Sequence, residues 1–314
     1  MMPEIPDLTM YLEHLQARFA GQILGRLRLF NPFVLRSTEP RPGDFSGRTV
    51  LGFSRSGKRI IWKMDGDRFI VVHLMIAGRF HLHPAGTKPR VKNDLASFDF
   101  DAQSVFLTEA SSKKRASIHL VAGRDGLEAF ARTGVEPLEV SLTEFATAIR
   151  RENHTIKRAM TDPDILSGIG NAYSDEILHA ARLSPLTLTQ KLTDEQIGRL
   201  FVATQKTLRD RIARLRAQLG AEFPEKVTAF RDDMAVHGRF KRACPDCGAP
   251  IQRIAYAENE CNYCARCQTG GHLLADRSLS RLMKDDWPKT IDELEKIKLE
   301  FAARAQAQSP KTGA

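Results

Sequence analysis

The chain has 314 residues, with 47 Lys and Arg against 38 Asp and Glu, for a formal net charge of +9, and a pI near 9.4. That length accommodates two domains with cores of their own, and a positive surplus of this size favours a polyanionic partner, nucleic acid ahead of a membrane surface. No apolar run reaches the length of a membrane span, and Asp7 and Glu13 in the amphipathic start argue against a secretory signal, so the expected location is cytoplasmic, or on the nucleoid if the source is bacterial.

The first feature is Pro3-Glu4. If translation starts at Met2 and that methionine is removed, Pro3 becomes the amino terminus, and its secondary amine is a nucleophile with an acid next to it. Met1 as written would acylate that nitrogen, so the expectation is that Met1 is an upstream start. The plain alternative is a proline opening the first turn of a helix. Leu8, Tyr11, Leu12, Leu15 and Phe19 recur at helical spacing and predict a helix over Asp7–Phe19. Strand signals follow at Gln22–Phe30, Arg59–Met64 and Phe69–Phe80, with Asp65-Gly66 as a hairpin turn between the last two. Ala96–Asp101, Ser104–Thr108 and Ala116–Val121 complete a mostly antiparallel set. The expected fold is α+β, opening with an antiparallel β-sandwich capped by one helix, over residues 3–123.

The stretch Arg124–Pro137 reads as a linker, and helices follow it. Ser141 and Glu144 form a capping box, Ile156–Met160 and Ala172–Arg182 read as short helices, and Thr193 and Gln196 cap a long one carrying Ile197, Leu200, Phe201, Leu208, Ile212 and Leu215. Residues 138–219 are therefore expected to form a helical helix–two-turns–helix domain, and 235–270 a β-hairpin finger. A carboxy-terminal extension over 278–314 has a capping box at Thr290–Glu293, and its polar, low-complexity end has the composition of a disordered tail.

Three clusters carry candidate chemistry. Five cysteines lie within 24 residues, an odd number that fits metal ligands in a reducing compartment better than disulfides. Cys244-x2-Cys247 and Cys264-x2-Cys267 are separated by sixteen residues, room for a β-hairpin, and four thiolates in this pattern close a tetrahedral structural Zn2+ site, one per chain. Cys261-x2-Cys264 is also possible, and spacing alone leaves that choice open. Gly168-Ile169-Gly170-Asn171, between two short helices, can turn backbone N–H groups toward an anion, with Asn171 and Lys157 adding donors; a plain helix connection is the alternative. Lys58, after Ser56-Gly57, can meet a phosphate or a developing negative charge, although a lone strand lysine is commonly a solvated edge residue. Lys113-Lys114-Arg115 is a basic loop, solvated by default.

In this order the motifs resemble the formamidopyrimidine-DNA glycosylase and endonuclease VIII family. Pro3-Glu4-Ile5-Pro6-Asp7 is similar to its Pro-Glu-Leu-Pro-Glu start, and Ser56-Gly57-Lys58-Arg59 to its lysine turn. His73-Leu74-Met75-Ile76-Ala77-Gly78 resembles its His-Leu-Gly-Met-Ser-Gly strand, and Gly168 to Leu178 its helix–two-turns–helix signature. His237-Gly238-Arg239 and Tyr263 to Gln268 resemble the entry to and end of its finger. The resemblance spans about Pro3 to Gln268. It implies Cys264 and Cys267 as ligands with Cys261 spare, double-stranded damaged DNA as partner, a monomer, and removal of oxidised bases followed by strand cleavage. It further implies Pro3 as nucleophile, Glu4 as proton shuttle, Lys58 beside the lesion phosphate, and Lys157 and Asn171 on other phosphates, with the target base flipped out of the stack.

The departures bear on substrate. Ile76 stands where the family has a wedge methionine, and Glu109 to Arg115 replaces its Asp-Pro-Arg-Arg-Phe-Gly loop, so Ile76, Lys113, Lys114 and Arg115 are the expected DNA contacts there. Asn259 takes the place of a phosphate-binding finger arginine, and Phe223–Arg231 lacks the loop that closes over 8-oxoguanine. Two other classes compete with the enzyme reading: a non-catalytic damage-binding protein on the same scaffold, and an RNA-binding module. The altered wedge and finger positions favour the first, but Pro3, Glu4 and Lys58 together argue against it, and the second leaves the Pro3-Glu4 pair unexplained.

Overall fold

A computed structural model describes residues 2–90, 92–227, 231–256, 259–274 and 287–308. They divide into two compact units, the first from the described parts of Met1–Arg151, Ala159–Gly170 and Thr204–Arg231, the second from those of Glu152–Arg158, Asn171–Ala203 and Asp232–Ala314.

The first unit begins with helix α1 (Ile5–Phe19), which starts earlier than its apolar stripe because Pro6 fits the first turn and the Asp7 carboxylate accepts from the Glu4 N–H (3.2 Å). Nine strands follow: β1 (Ile23–Leu24), β2 (Arg26–Leu29), β3 (Arg48–Ser56), β4 (Arg59–Met64), β5 (Arg68–His73), β6 (Gly78–Pro84), β7 (Asp94–Asp99), β8 (Gln103–Glu109) and β9 (Ser117–Ala122). They build two antiparallel sheets, β1-β3-β4-β5-β9 and β2-β7-β8-β6. Between the sheets Trp62 stacks on Phe98 (4.4 Å) and Phe19 on Phe100 (4.3 Å), and Leu8, Tyr11 and Leu15 of α1 join the same core. Trp62 is the largest fully buried side chain among the described residues, and truncating such a ring costs on the order of 3–5 kcal/mol.

Four local expectations are corrected. Gln22–Phe30 is two strands, β1 and β2, in different sheets; they part at Gly25, whose N–H donates to the Asp99 carbonyl (2.9 Å). Phe69–Phe80 is likewise β5 and β6, divided by a turn in which Met75 takes φ of 53° and the Gly78 N–H closes on the Leu74 carbonyl (2.9 Å). A Cβ on Gly78 would lie 2.2 Å from that carbonyl oxygen, so only glycine allows the turn. Strand β3 has no counterpart in the sequence reading, since Gly52 and a β-bulge between Val50 and Gly52 break its alternation. Finally, Arg124–Pro137 holds helix α2 (Arg124–Glu128), and Leu127 and Phe130 cover Ile61, Phe69, Val71 and Val121 on the outer sheet face.

Helices α3 (Leu142–Arg150), α4 (Ile156–Thr161), α5 (Asn171–Ala180) and the long α6 (Asp194–Leu219) follow. The capping boxes at Ser141/Glu144 and Thr193/Gln196 form as the sequence predicts. In the second unit, β10 (Gln252–Tyr256) and β11 (Asn259–Tyr263) pair as a hairpin, followed by α7 (Ala265–Thr269) and α8 (Ile291–Gln308). Of the extension, residues 278–286 and the polar end over 309–314 lie outside the described residues.

Candidate active site and metal centre

Glu4 is 1% exposed. Burying a carboxylate is costly unless donors replace the lost water, and here the Gly170 N–H donates to Glu4 Oε2 (2.6 Å), while the Ile5 N–H donates to the Gly168 carbonyl (3.2 Å). An N–H of the glycine-rich turn thus meets a carboxyl side chain of the same chain, while Asn171 and Lys157 turn to other partners. Both glycines leave room for neighbouring side chains. A Cβ on Gly170 would sit 2.6 Å from the Glu4 carboxylate and 2.6 Å from Lys58 Nζ; one on Gly168, where φ is +80°, would sit 2.7 Å from Ile5 Cγ1 and 2.8 Å from an Arg55 nitrogen. The carboxylate and the ammonium therefore flank one point, and Pro3, buried, precedes Glu4 in the chain.

The turn is braced by residues that the sequence reading missed. Arg55 pairs with Glu136 and reaches Ser167 Oγ (3.4 Å) and the Gly57 carbonyl (3.2 Å), and Ser167 Oγ donates to Glu136 (2.6 Å). This network joins the Ser-Gly-Lys turn of Lys58 to the strand-like pairing of Val135 with Leu166 just before Gly168. Only the place of Arg55 beside Ser56-Gly57-Lys58 hinted at it. Burial pushes the Asp7 carboxyl up to about 6, against the Glu4 N–H and Arg231, which favour the ion. Burial and the neighbouring Arg59 and Lys58 lower His73 to about 4, so its imidazole is neutral at neutral pH.

The wedge candidates gather at one end of the sandwich. Gly78 pairs with Glu109 and His73 with Ser117, which places the Ile76 turn beside the 110–116 loop. Ile76 is 45% exposed. Buried Glu109 organises the loop by accepting from Ser111 Oγ (3.0 Å) and the N–H groups of Arg115 (2.8 Å) and Ala116 (2.9 Å). Lys113 and Arg115 point to solvent, while Lys114 folds back on the Glu109 carbonyl. Of the Phe223–Arg231 stretch, residues 228–230 lie outside the described residues; Phe223 packs near Tyr11 (6.0 Å), and Arg79 Nε donates to the Val227 carbonyl (2.6 Å).

In the second unit, Lys157 Nζ donates to the Asn171 carbonyl (2.8 Å), Ser174 Oγ (2.8 Å) and Asp175 Oδ1 (2.5 Å). Burial opposes ionisation of Asp175, but Lys157 and His237 outweigh it and hold the carboxyl below its ordinary value. Asn171 Nδ2 donates to the Glu260 carbonyl (2.6 Å). Asn259 opens β11, and its side chain lies outside the described residues.

Cys244, Cys247, Cys264 and Cys267 bring their sulfurs within 4.8 Å of one another, with Cys244 and Cys267 3.9 Å apart and Cys247 and Cys264 3.4 Å apart. A tetrahedron with metal–sulfur bonds of about 2.3 Å has edges of about 3.8 Å, so the donor set fits a metal ion. Cys261 is outside this group, buried on β11, where burial pushes its thiol up. The choice that spacing left open thus falls on Cys264 and Cys267.

Residues 2–114 match the family model of the formamidopyrimidine-DNA glycosylase N-terminal domain, and residues 133–220 that of the formamidopyrimidine-DNA glycosylase H2TH domain. A formamidopyrimidine-DNA glycosylase of Pelotomaculum thermopropionicum is 30% identical over 278 residues, covering 85% of this chain and 99% of the relative. An uncharacterized formamidopyrimidine-DNA glycosylase-like protein of Mycobacterium tuberculosis is 38% identical over 151 residues, 48% of this chain and 94% of the relative. Among solved structures, the Lactococcus lactis glycosylase in complex with DNA containing an oxidized pyrimidine superposes with a TM-score of 0.74 at 25% identity, covering 85% of this chain and all of the other. The same enzyme bound non-covalently to abasic-site DNA gives 0.73 at 24% identity, covering 85% of this chain and 99% of the other.

Proposed function

The chain belongs to the formamidopyrimidine-DNA glycosylase family, and from that membership we propose that it removes oxidised bases from double-stranded DNA and cuts the strand at the resulting abasic site. The observation that supports this most is the Glu4 carboxylate held by the Gly170 N–H, with the Lys58 ammonium against the same glycine.

The chemistry needs Pro3 as first residue, with a free secondary amine. Its nitrogen attacks C1′ of the flipped nucleotide, the bond from C1′ to the base breaks, and the base departs with the electron pair of that bond and takes a proton from water. The Glu4 carboxylate takes the proton that the Pro3 nitrogen gives up and delivers it to the ring oxygen as the sugar opens, leaving an iminium between Pro3 and C1′. The iminium acidifies the C2′ proton; its removal expels the 3′ phosphate by β-elimination, and δ-elimination then releases the 5′ phosphate. Lys58 holds the phosphate beside the lesion, and its charge offsets that of the leaving group. The Gly170 N–H keeps Glu4 in one orientation through these steps.

Ile76 occupies the space of the flipped nucleotide, with Lys113, Lys114 and Arg115 on the neighbouring backbone; Lys157, Asn171 and Asn259 contribute to phosphate binding. Cys244, Cys247, Cys264 and Cys267 hold a structural Zn2+, which closes the finger and leaves no coordination position for water or substrate. The domain limits proposed are 3–123, 138–219 and 235–270, with 278–314 as an extension. The protein is proposed to act as a monomer in the cytoplasm or on the nucleoid, and none of the described helices is long and apolar enough to cross a membrane.

The test is borohydride trapping on an abasic-site duplex, with protein expressed from Met2 and the cross-linked peptide mapped by mass spectrometry. An adduct on Pro3 is the expected result. Zinc-loaded protein that binds the duplex and forms no adduct would overturn the lyase assignment and favour a damage-binding protein on the same scaffold.

A further inference from the structure

Helix α5 is fastened to the cysteine module along its whole length, within the second unit. Asn171 reaches the Glu260 carbonyl (2.6 Å), Asp175 accepts from the Asn262 N–H (3.1 Å) and contacts His237 Nδ1 (2.7 Å), and Glu176 accepts from the N–H groups of Ala235 (2.7 Å), Val236 (2.9 Å) and His237 (2.9 Å). At the far end, His179 Nε2 lies 3.3 Å from Cys244 Sγ and 3.9 Å from Asp246, and Arg182 donates to Asp246 (3.0 Å), the acid inside the first Cys-Pro-Asp-Cys knuckle. His179 is 4% exposed and Cys244 2%.

This end of α5 faces an electrostatic difficulty. Four thiolates around a divalent ion carry a net charge of about −2, and the last carbonyls of a helix add partial negative charge to the same place. Donors to sulfur and nearby cations relieve both. We propose that His179 and Arg182 are positioning residues of the metal site: His179 donates its Nε2–H to the Cys244 thiolate, and Arg182 holds the first knuckle through Asp246. The bound metal is thereby locked to the helix that begins at Asn171. This rests on the reading of the four cysteines as a metal site. No motif of the finger announces these residues, which lie more than sixty positions before Cys244.

The test uses the full-length protein loaded with Co2+ or Zn2+. His179→Phe keeps a ring of similar bulk and removes the donor, His179→Gln restores an N–H, and Arg182→Ala removes an exposed cation. With Co2+, the wild type should show the visible bands of a four-sulfur site. In His179→Phe the thiolate-to-cobalt charge-transfer band should move to lower energy, because a thiolate without its hydrogen bond is easier to oxidise. Transfer of Zn2+ to a chromophoric chelator should become about tenfold faster, the lower end for loss of an outer partner. His179→Gln should return both readings toward wild type, and Arg182→Ala, which removes a guanidinium that also faces the Cys267 sulfur, should speed release by a few-fold. Packing alone would leave the band in place. Wild-type-like band and release in His179→Phe would overturn the proposal while leaving the four-cysteine site standing. A wild type without four-sulfur bands would overturn the site itself, and this inference with it.

Discussion

The Glu4 carboxylate and the four-cysteine cluster are both acidic centres, but they are assembled over very different lengths of chain. The thiols come from 24 consecutive residues, and a hairpin brings the two knuckles together. Glu4 is held by the N–H of Gly170, 166 residues away, with Lys58 beside the same glycine and a second network of Arg55, Glu136 and Ser167 behind the turn. The difference follows from what neutralises each charge. A metal ion supplies its full charge and tolerates any chain path that delivers four sulfurs. A carboxylate without a metal needs individual donors at hydrogen-bond distance, so the backbone itself must come close, and that demands glycine.

The sharpest way to break the comparison is Gly170→Ala. Its new Cβ would fall 2.6 Å from both the Glu4 carboxylate and Lys58 Nζ, so one of them must move. Base excision should fall by about 10²-fold, the usual consequence of misplacing a reacting group by an ångström, while zinc content stays unchanged. Wild-type excision, measured in single-turnover assays on a lesion duplex, would show that the close approach does not set the catalytic geometry. The cysteine module calls for the opposite substitution. Cys264→Ser should release the metal and weaken DNA binding, while Cys261→Ser should do neither, as read by metal analysis and gel shift. Metal retained in the first variant would reverse the ligand choice.

The same difference explains what was legible in the sequence. Periodicity and capping are local, so α1, β4, the Asp65-Gly66 turn and the boxes at Ser141 and Thr193 could be read directly. The C-x2-C pairs were legible for the same reason, as was the hairpin-sized gap between them. Breaks imposed by a partner in space were not. The run Phe69–Phe80 looks continuous until Gly78 is seen closing on the Leu74 carbonyl, and Gly25 separates two strands because Asp99 is opposite it. Gly168 and Gly170 were legible as a turn, and their intramolecular anion was not. His179 looked like an ordinary helix residue because its partner is a sulfur 65 residues further along the chain.

Asp7 offers a smaller test of how strongly the first centre excludes water. Its folded pKa of about 6 lies above the ordinary carboxyl value, so between roughly pH 4 and 6 the folded chain binds the proton that the unfolded chain releases. Stability should therefore decline as pH rises through that window, by on the order of 3 kcal/mol at most. Asp7→Asn should flatten this dependence, as followed by urea unfolding at pH 4, 5, 6 and 7. An unchanged slope would mean that water or the Arg231 guanidinium, 3.5 Å away, keeps Asp7 ionised.

The smallest expected effect concerns Lys157, where the two ways of neutralising an acid meet in one residue. Its ammonium faces Asp175 and two neutral acceptors, the Asn171 carbonyl and Ser174 Oγ. If Lys157 also meets a DNA phosphate, Lys157→Ala should weaken binding across sequences and lower the log–log salt slope by about 0.9, the value for one phosphate contact on duplex DNA. The proposed role requires that change, measured by fluorescence anisotropy from low to moderate salt. Weaker binding with an unchanged slope would instead assign Lys157 to bracing the Asn171 turn. Its charge would then be spent on Asp175, as the charge of a bound metal is spent on the cysteines.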